Sequence, residues 1–236
     1  MATSGSTSFN PAFDDICEDA YSRCGMQFGD DTRGGYDIRN ARRSANLLSL
    51  EWSNKGLNLW TVDSQTLALS AGVRTYALPA DTFAVLDTAI RTTIGSPAQT
   101  SDLTISPMSF PEYLMQTNKF TQGRPLQYYV ERATSGITLI LWPVPDALLA
   151  YTLVYYRIRR IQDVNSIQND MDIPAQYLPA FVSGMAFHVG AKHPKQIAEA
   201  GVGLGDLKAR YEEDFALAEA QSSQRVSVRM VPRNCY

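Results

Sequence analysis

The chain is poor in the side chains that most catalytic and metal sites use. It has two histidines, His188 and His193, and three cysteines, Cys17, Cys24 and Cys235, in 236 residues. No spacing among them matches a metal-ligand set, because neither histidine stands in a Cys or carboxylate cluster. Cys17 and Cys24 lie seven residues apart on one predicted helix, about 10 Å of rise, too far for a disulfide. All three cysteines read as reduced thiols. There is no excess of basic residues: 21 Lys and Arg face 24 Asp and Glu, for a net charge of −3. That argues against a dedicated nucleic-acid binder, which needs clustered cations to neutralise phosphates. Charged residues make up 19%, few for a free monomer, so part of the surface is expected to meet other protein. There is no long apolar run, and the polar start Met1–Ser8 reads as neither signal peptide nor membrane span.

What is present is organised around residues 36–79. Ile38, Ala41, Ala45, Leu48 and Trp52 recur at helical spacing, predicting a helix over Tyr36–Lys55. Leu47 and Leu50 point nearly opposite to that stripe, so the helix has two apolar sides and two expected packing partners, the second inside the fold or on another subunit. Arg39, Arg42 and Arg43 lie close together on it. They read as ion pairs with the acidic first helix or another subunit, or else as a phosphate contact. Thr61–Leu69 and Val73–Leu78, joined through Ser70-Ala71-Gly72, are expected to form a β-hairpin.

An earlier helix opens at Asn10-Pro11, with Asn10 as expected cap, and ends at Gly25. Asp14, Asp15, Glu18 and Asp19 crowd its first turns, where the helix dipole favours anions. After the hairpin, strands are expected at Phe83–Ile94, Asp102–Ser106, Leu126–Arg132, Ile137–Trp142 and Tyr151–Ile161, separated by Gly- and Pro-rich turns. Ser109 with Glu112 signals a short capped helix. In the last strand Tyr155, Arg157 and Arg159 share one face, and Tyr156 and Arg160 the other. These arginines, with the tyrosines, suit either a nucleic-acid platform or acidic groups of a neighbour. Gln162–Met171 reads as a linker. A helix from Asp172 to His193, apolar nearly all round, is expected to be central, with His188 in its core. Another follows over Gln196–Ser222. The glycines from Gly201 to Gly205 lack the context of a phosphate loop.

The predicted fold is therefore α+β. A four-helix bundle is expected from residues 9–58 and 172–223, with an inserted antiparallel β-sandwich or barrel over 59–171. Residues 224–236 form an extended arm that mixes basic and apolar side chains, suited to ordering on a partner. No catalytic group, cofactor site or metal site is predicted.

Several strings, in order, resemble the head-to-tail adaptor proteins of short-tailed phages, also called tail tubular or gatekeeper proteins. They are Ala41-Arg42-Arg43-Ser44-Ala45-Asn46-Leu47-Leu48, Glu51-Trp52-Ser53-Asn54-Lys55-Gly56, Tyr76-Ala77-Leu78-Pro79-Ala80-Asp81, Gly123-Arg124-Pro125 with Tyr128-Tyr129, Leu141-Trp142-Pro143, and Leu153-Val154-Tyr155-Tyr156-Arg157. The resemblance implies a structural virion protein at the head–tail junction, made in the host cytoplasm. It implies a homo-oligomeric ring of twelve between the portal ring and the tail nozzle, with tail fibre proteins as further possible neighbours. Genomic DNA would pass through its bore without specific binding, and no membrane is involved. It places portal docking on Arg225, Val226, Val228, Arg229, Met230, Val231, Pro232 and Tyr236. Contacts between subunits are expected at Arg39, Arg42, Arg43, Leu47, Leu50, Arg157, Arg159 and Arg160. The competing reading is a DNA-binding module built on the two arginine clusters.

Overall fold

A computed structural model describes residues 9–29, 34–55, 59–94, 99–134 and 136–222. The predicted arm lies outside the described residues. The chain divides into two compact units, one made of Met1–Leu57 with Ile161–Tyr236 and the other of Asn58–Arg160. The class is α+β, with six helices and two four-stranded sheets among the described residues.

The first unit is helical: α1 (Phe13–Arg23), α2 (Gly34–Lys55), α4 (Leu178–Lys192), α5 (Pro194–Glu199) and α6 (Leu204–Ser222). Helix α4 is the centre, as its all-round apolarity predicts, and α1, α2 and α6 each pack on it. Gly184 permits the close approach, because a Cβ there would meet Leu48 Cδ2 at 2.9 Å and Tyr211 Cε2 at 3.0 Å. From α2, Ala41, Ala45, Leu48 and Trp52 are fully buried. The Trp52 ring sits 5.5 Å from Phe181, edge on, and 5.5 Å from Phe215. Each such aromatic pair contributes about 0.5–1.5 kcal/mol beyond its buried area.

Helix α1 starts later than its sequence suggests. Asn10 is not the cap; Ala12 holds that position and has no acceptor. The free N–H groups of the first turn go elsewhere: Phe13 donates to the Asn169 carbonyl and Asp14 to that of Ile167. The Asp15 carboxylate accepts from the Ala12 N–H. Residues 162–171, expected to be a linker, and Ile161, expected to end the last strand, belong to the helical unit rather than to the β-domain. They bury Ile161, Val164 and Met171, and Val164 N donates to Asn46 Oδ1 at 2.9 Å. The expected final helix is in fact two, α5 and α6, broken around Gly201, whose φ of +70° no helix accommodates.

The second unit holds β1 (Val62–Ala68), β2 (Thr75–Ala77), β3 (Thr82–Ile94), β4 (Gln99–Thr104), β5 (Ser106–Pro107), the short helix α3 (Phe110–Met115), β6 (Gln127–Ala133), β7 (Gly136–Trp142) and β8 (Tyr151–Arg159). The sheets run β1-β8-β3-β4 and β2-β7-β6-β5. They share one apolar core, in which Ile90, Leu139, Leu141 and Leu153 are almost completely buried. The predicted hairpin does not form. β1 pairs with β8 and β2 with β7, so the turn at Ser70–Val73 carries the chain from one sheet to the other. Tyr76 fixes that turn: its hydroxyl accepts from the Ser70 N–H and lies 3.1 and 3.0 Å from the Ser70 and Val73 carbonyls. The sheets are not wholly antiparallel either, since β5 pairs parallel with β6. Helix α3 has its predicted capping box, with Ser109 N donating to the Glu112 carboxylate at 2.6 Å.

Candidate functional site

The sequence-predicted contact residues separate into three environments. The first is the outward side of α2. Because α2 places Leu48 and Trp52 inward, helical spacing turns Arg39, Arg43, Leu47 and Leu50 away from α4. Leu47 and Leu50 are 50% and 46% exposed. Together with Arg42 and Asn46 they line one open groove of about 470 Å³. The structure thus gathers five of the eight predicted subunit-contact residues on a single surface. None of the three guanidinium groups makes a hydrogen bond or ion pair among the described residues, and Arg42 Nε is buried without an acceptor. The expected ion pairs with α1 of the same chain are absent from these residues.

Lys192 adds a fourth cation, which sequence reading missed. From the end of α4 it donates to Ser44 Oγ at 2.7 Å and to the Asn40 carbonyl at 3.3 Å. Burial, and then the nearby Arg43 charge, pull its ammonium below the usual lysine range. Only the packing of α4 on α2 brings it there, so nothing local in the sequence signals it.

The second environment is the interior of the β unit. Arg157, grouped above with exposed cations, is turned inward, and its side chain is only 6% exposed. It lies directly across from Asp63 in the β1–β8 register. Its Nε donates to Asp63 Oδ1 at 2.9 Å and its Nη2 to Asp63 Oδ2 at 3.2 Å. Nη1 donates to Asp81 Oδ1 at 2.5 Å and to Thr82 Oγ1 at 2.8 Å, and Nη2 to Asp81 Oδ2 at 3.2 Å. All five guanidinium donors are spent. The hydrogen-bonded Arg157 holds the Asp81 carboxyl below the ordinary aspartate range. Arg157 therefore presents no surface to DNA or to a neighbouring subunit. The reason is simple: strand alternation pairs it with Tyr155, and that face is the core face.

Arg159 and Arg160 form the third environment. Arg159 is half-buried and donates to the Arg160 carbonyl at 3.3 Å. Arg160 is exposed and, with Arg132, lines a depression of about 310 Å³. The predicted docking residues Arg225–Tyr236 lie outside the described residues.

Sequence reading also missed an exposed apolar patch. Helix α3 buries none of its residues, and Phe110, Leu114, Met115 and Phe120 are all more than half exposed. Tyr113 stacks on Tyr129 at 5.4 Å, and the Arg74 guanidinium sits 4.8 Å from the Phe120 ring.

Both histidines lie in the helical unit, and neither imidazole Nε2 has a hydrogen-bond partner among the described residues. His193 ends α4, donating its N–H to the Gly190 carbonyl. His188 Nε2 stands 3.4 Å from Glu51. Glu51 also meets Lys55 Nζ at 3.0 Å and accepts from the Tyr211 hydroxyl at 3.2 Å. Burial pushes the Glu51 carboxyl up, but the Lys55 and Tyr211 donors outweigh it and hold it low. Cys17 and Cys24 are buried free thiols. Among the described residues no group of three His, Cys, Asp or Glu side chains could hold a metal, and no helix is long and apolar enough to cross a membrane. A family model described as SU10 adaptor protein matches residues 26–233. No curated protein matches the chain.

Proposed function

The chain belongs to the SU10 adaptor protein family, a family of structural phage proteins that associate with other virion components, and from that premise we propose that its copies form the ring joining portal to tail nozzle. The ring has twelve subunits in this reading and encloses part of the channel through which DNA is ejected. Arg225–Tyr236 are the portal-docking arm, and the nozzle and tail fibre proteins are the distal neighbours.

The observation that supports the ring most directly is the outward side of α2. Two half-exposed leucines flanked by three arginines with no partner among the described residues form the kind of surface that a monomer avoids and an interface uses. Arg159 and Arg160 are the remaining candidate subunit contacts. A DNA-binding module built on both arginine clusters fits less well, because Arg157 is committed to Asp63 and Asp81. The adaptor reading needs no catalytic group.

Native mass measurement tests the proposal, on the protein alone and mixed with the portal ring of its phage. A ring-sized species in either sample is expected. Removing the residues after Ser223 is expected to abolish portal binding. A full-length chain that stays monomeric and ignores the portal refutes the reading.

A further inference from the structure

The helical unit carries two surfaces of opposite charge on different helices, and among the described residues neither forms an ion pair. On α1, Asp14, Asp15, Glu18 and Asp19 occupy two turns, and all but the half-buried Asp14 are exposed. Asp14 and Asp15 accept only local backbone N–H groups, and among the described residues none of the four forms an ion pair. Just ahead of them Phe9 is 77% exposed. On α2, Arg39, Arg42 and Arg43 stand around the groove that exposes Leu47 and Leu50. Both helices pack on α4, yet these charges do not meet in one chain.

We propose that the α2 groove receives the acidic first helix of a second copy, running antiparallel to α2. The spacing of the charges agrees. Asp15 and Asp19 are four residues apart, as are Arg39 and Arg43, so each pair spans about 6 Å of rise. In the antiparallel direction Phe9 arrives at the Leu47 and Leu50 end, where an apolar side chain has apolar surface to cover. Carboxylates then face guanidiniums, the charge-assisted pairing that favours Arg at interfaces.

Other occupants fit the groove poorly. The chain's own tail, residues 224–236, carries Arg225, Arg229 and Arg233 and no Asp or Glu, so it meets like charge there. A nucleic-acid backbone would satisfy the arginines but leave both leucines uncovered. The two surfaces differ, so the contact is heterologous and propagates head to tail, closing into a ring when the rotation allows. This inference rests on the ring proposed above and assigns its subunit contact.

Charge reversal in two variants tests it. The first carries Arg39→Glu and Arg43→Glu; the second carries Asp15→Lys and Asp19→Lys. Each alone sets like charges against each other at every contact and is expected to lower the ring-sized species by about tenfold or more at low salt. Mixed in equal amounts, the two are expected to form rings again, since each supplies the charge that the other lacks. Circular dichroism that matches the wild type keeps misfolding out of the comparison. Rings that form normally from either variant alone, or a mixture that fails to rescue, overturn the inference, while wild-type rings in the same sample leave the adaptor reading standing. If the wild type forms none, alone or with the portal ring, both fall.

Discussion

The Arg157 cluster is the strongest lever on the β unit. Replacing Asp63 and Asp81 together by Asn leaves a guanidinium that is 6% exposed without a counter-charge. Breaking a buried ion pair in this way costs about 3–5 kcal/mol. For a unit of roughly 100 residues, each kcal/mol lowers the melting temperature by about 4–8 °C, so a fall of roughly 12–40 °C is expected. Asp63 lies on β1, Arg157 on β8 and Asp81 just ahead of β3, so the lesion loosens three adjacent strands. Differential scanning calorimetry reads it directly. Arg157→Met is expected to cost less, because its abandoned carboxylates are 32% and 48% exposed and can rehydrate. The pH dependence follows from the depressed Asp81 carboxyl. Its contribution is present above the unfolded aspartate pKa of about 3.9 and is lost as pH falls through that value towards the lower folded one. Asp81→Asn should remove this acid-side slope. A double Asn variant that melts within about 1 kcal/mol of the wild type would refute the reasoning.

Two further predictions concern the helical unit. Gly184→Val should destabilise it by about 1–3 kcal/mol, since Leu48 and Tyr211 already stand at contact distance, and urea unfolding followed by far-UV circular dichroism of the helices measures this. Cys17 and Cys24 should resist a thiol reagent at pH 8 until the chain is denatured. Burial pushes both thiols up, Cys24 to about 11, and reagent uptake with and without denaturant checks it.

Much of this was legible in the sequence because it depends on neighbours along the chain. The apolar period of α2, its second apolar side, the capping box of α3 and the central character of α4 all follow from spacings of a few residues. So does the clustering of Arg39, Arg42 and Arg43 with Leu47 and Leu50, which need only one helix to meet. Recognition of the family rested on the same kind of local string.

Other features depended on contacts between distant segments, and only the tertiary structure decided them. Alternation put Arg157 on the face of Tyr155, but not which face the core would take; Asp63 and Asp81, 94 and 76 residues away, settle that. The Ser70–Val73 turn looks like a hairpin turn, yet β8 and β7 claim its two strands for separate sheets. Residues 162–171 look like a polar linker, but the carbonyls of Ile167 and Asn169 complete the first turn of α1. A local period states which side chains share a face. Which face is buried, and what it meets, is set by burial and hydrogen bonding across the whole fold.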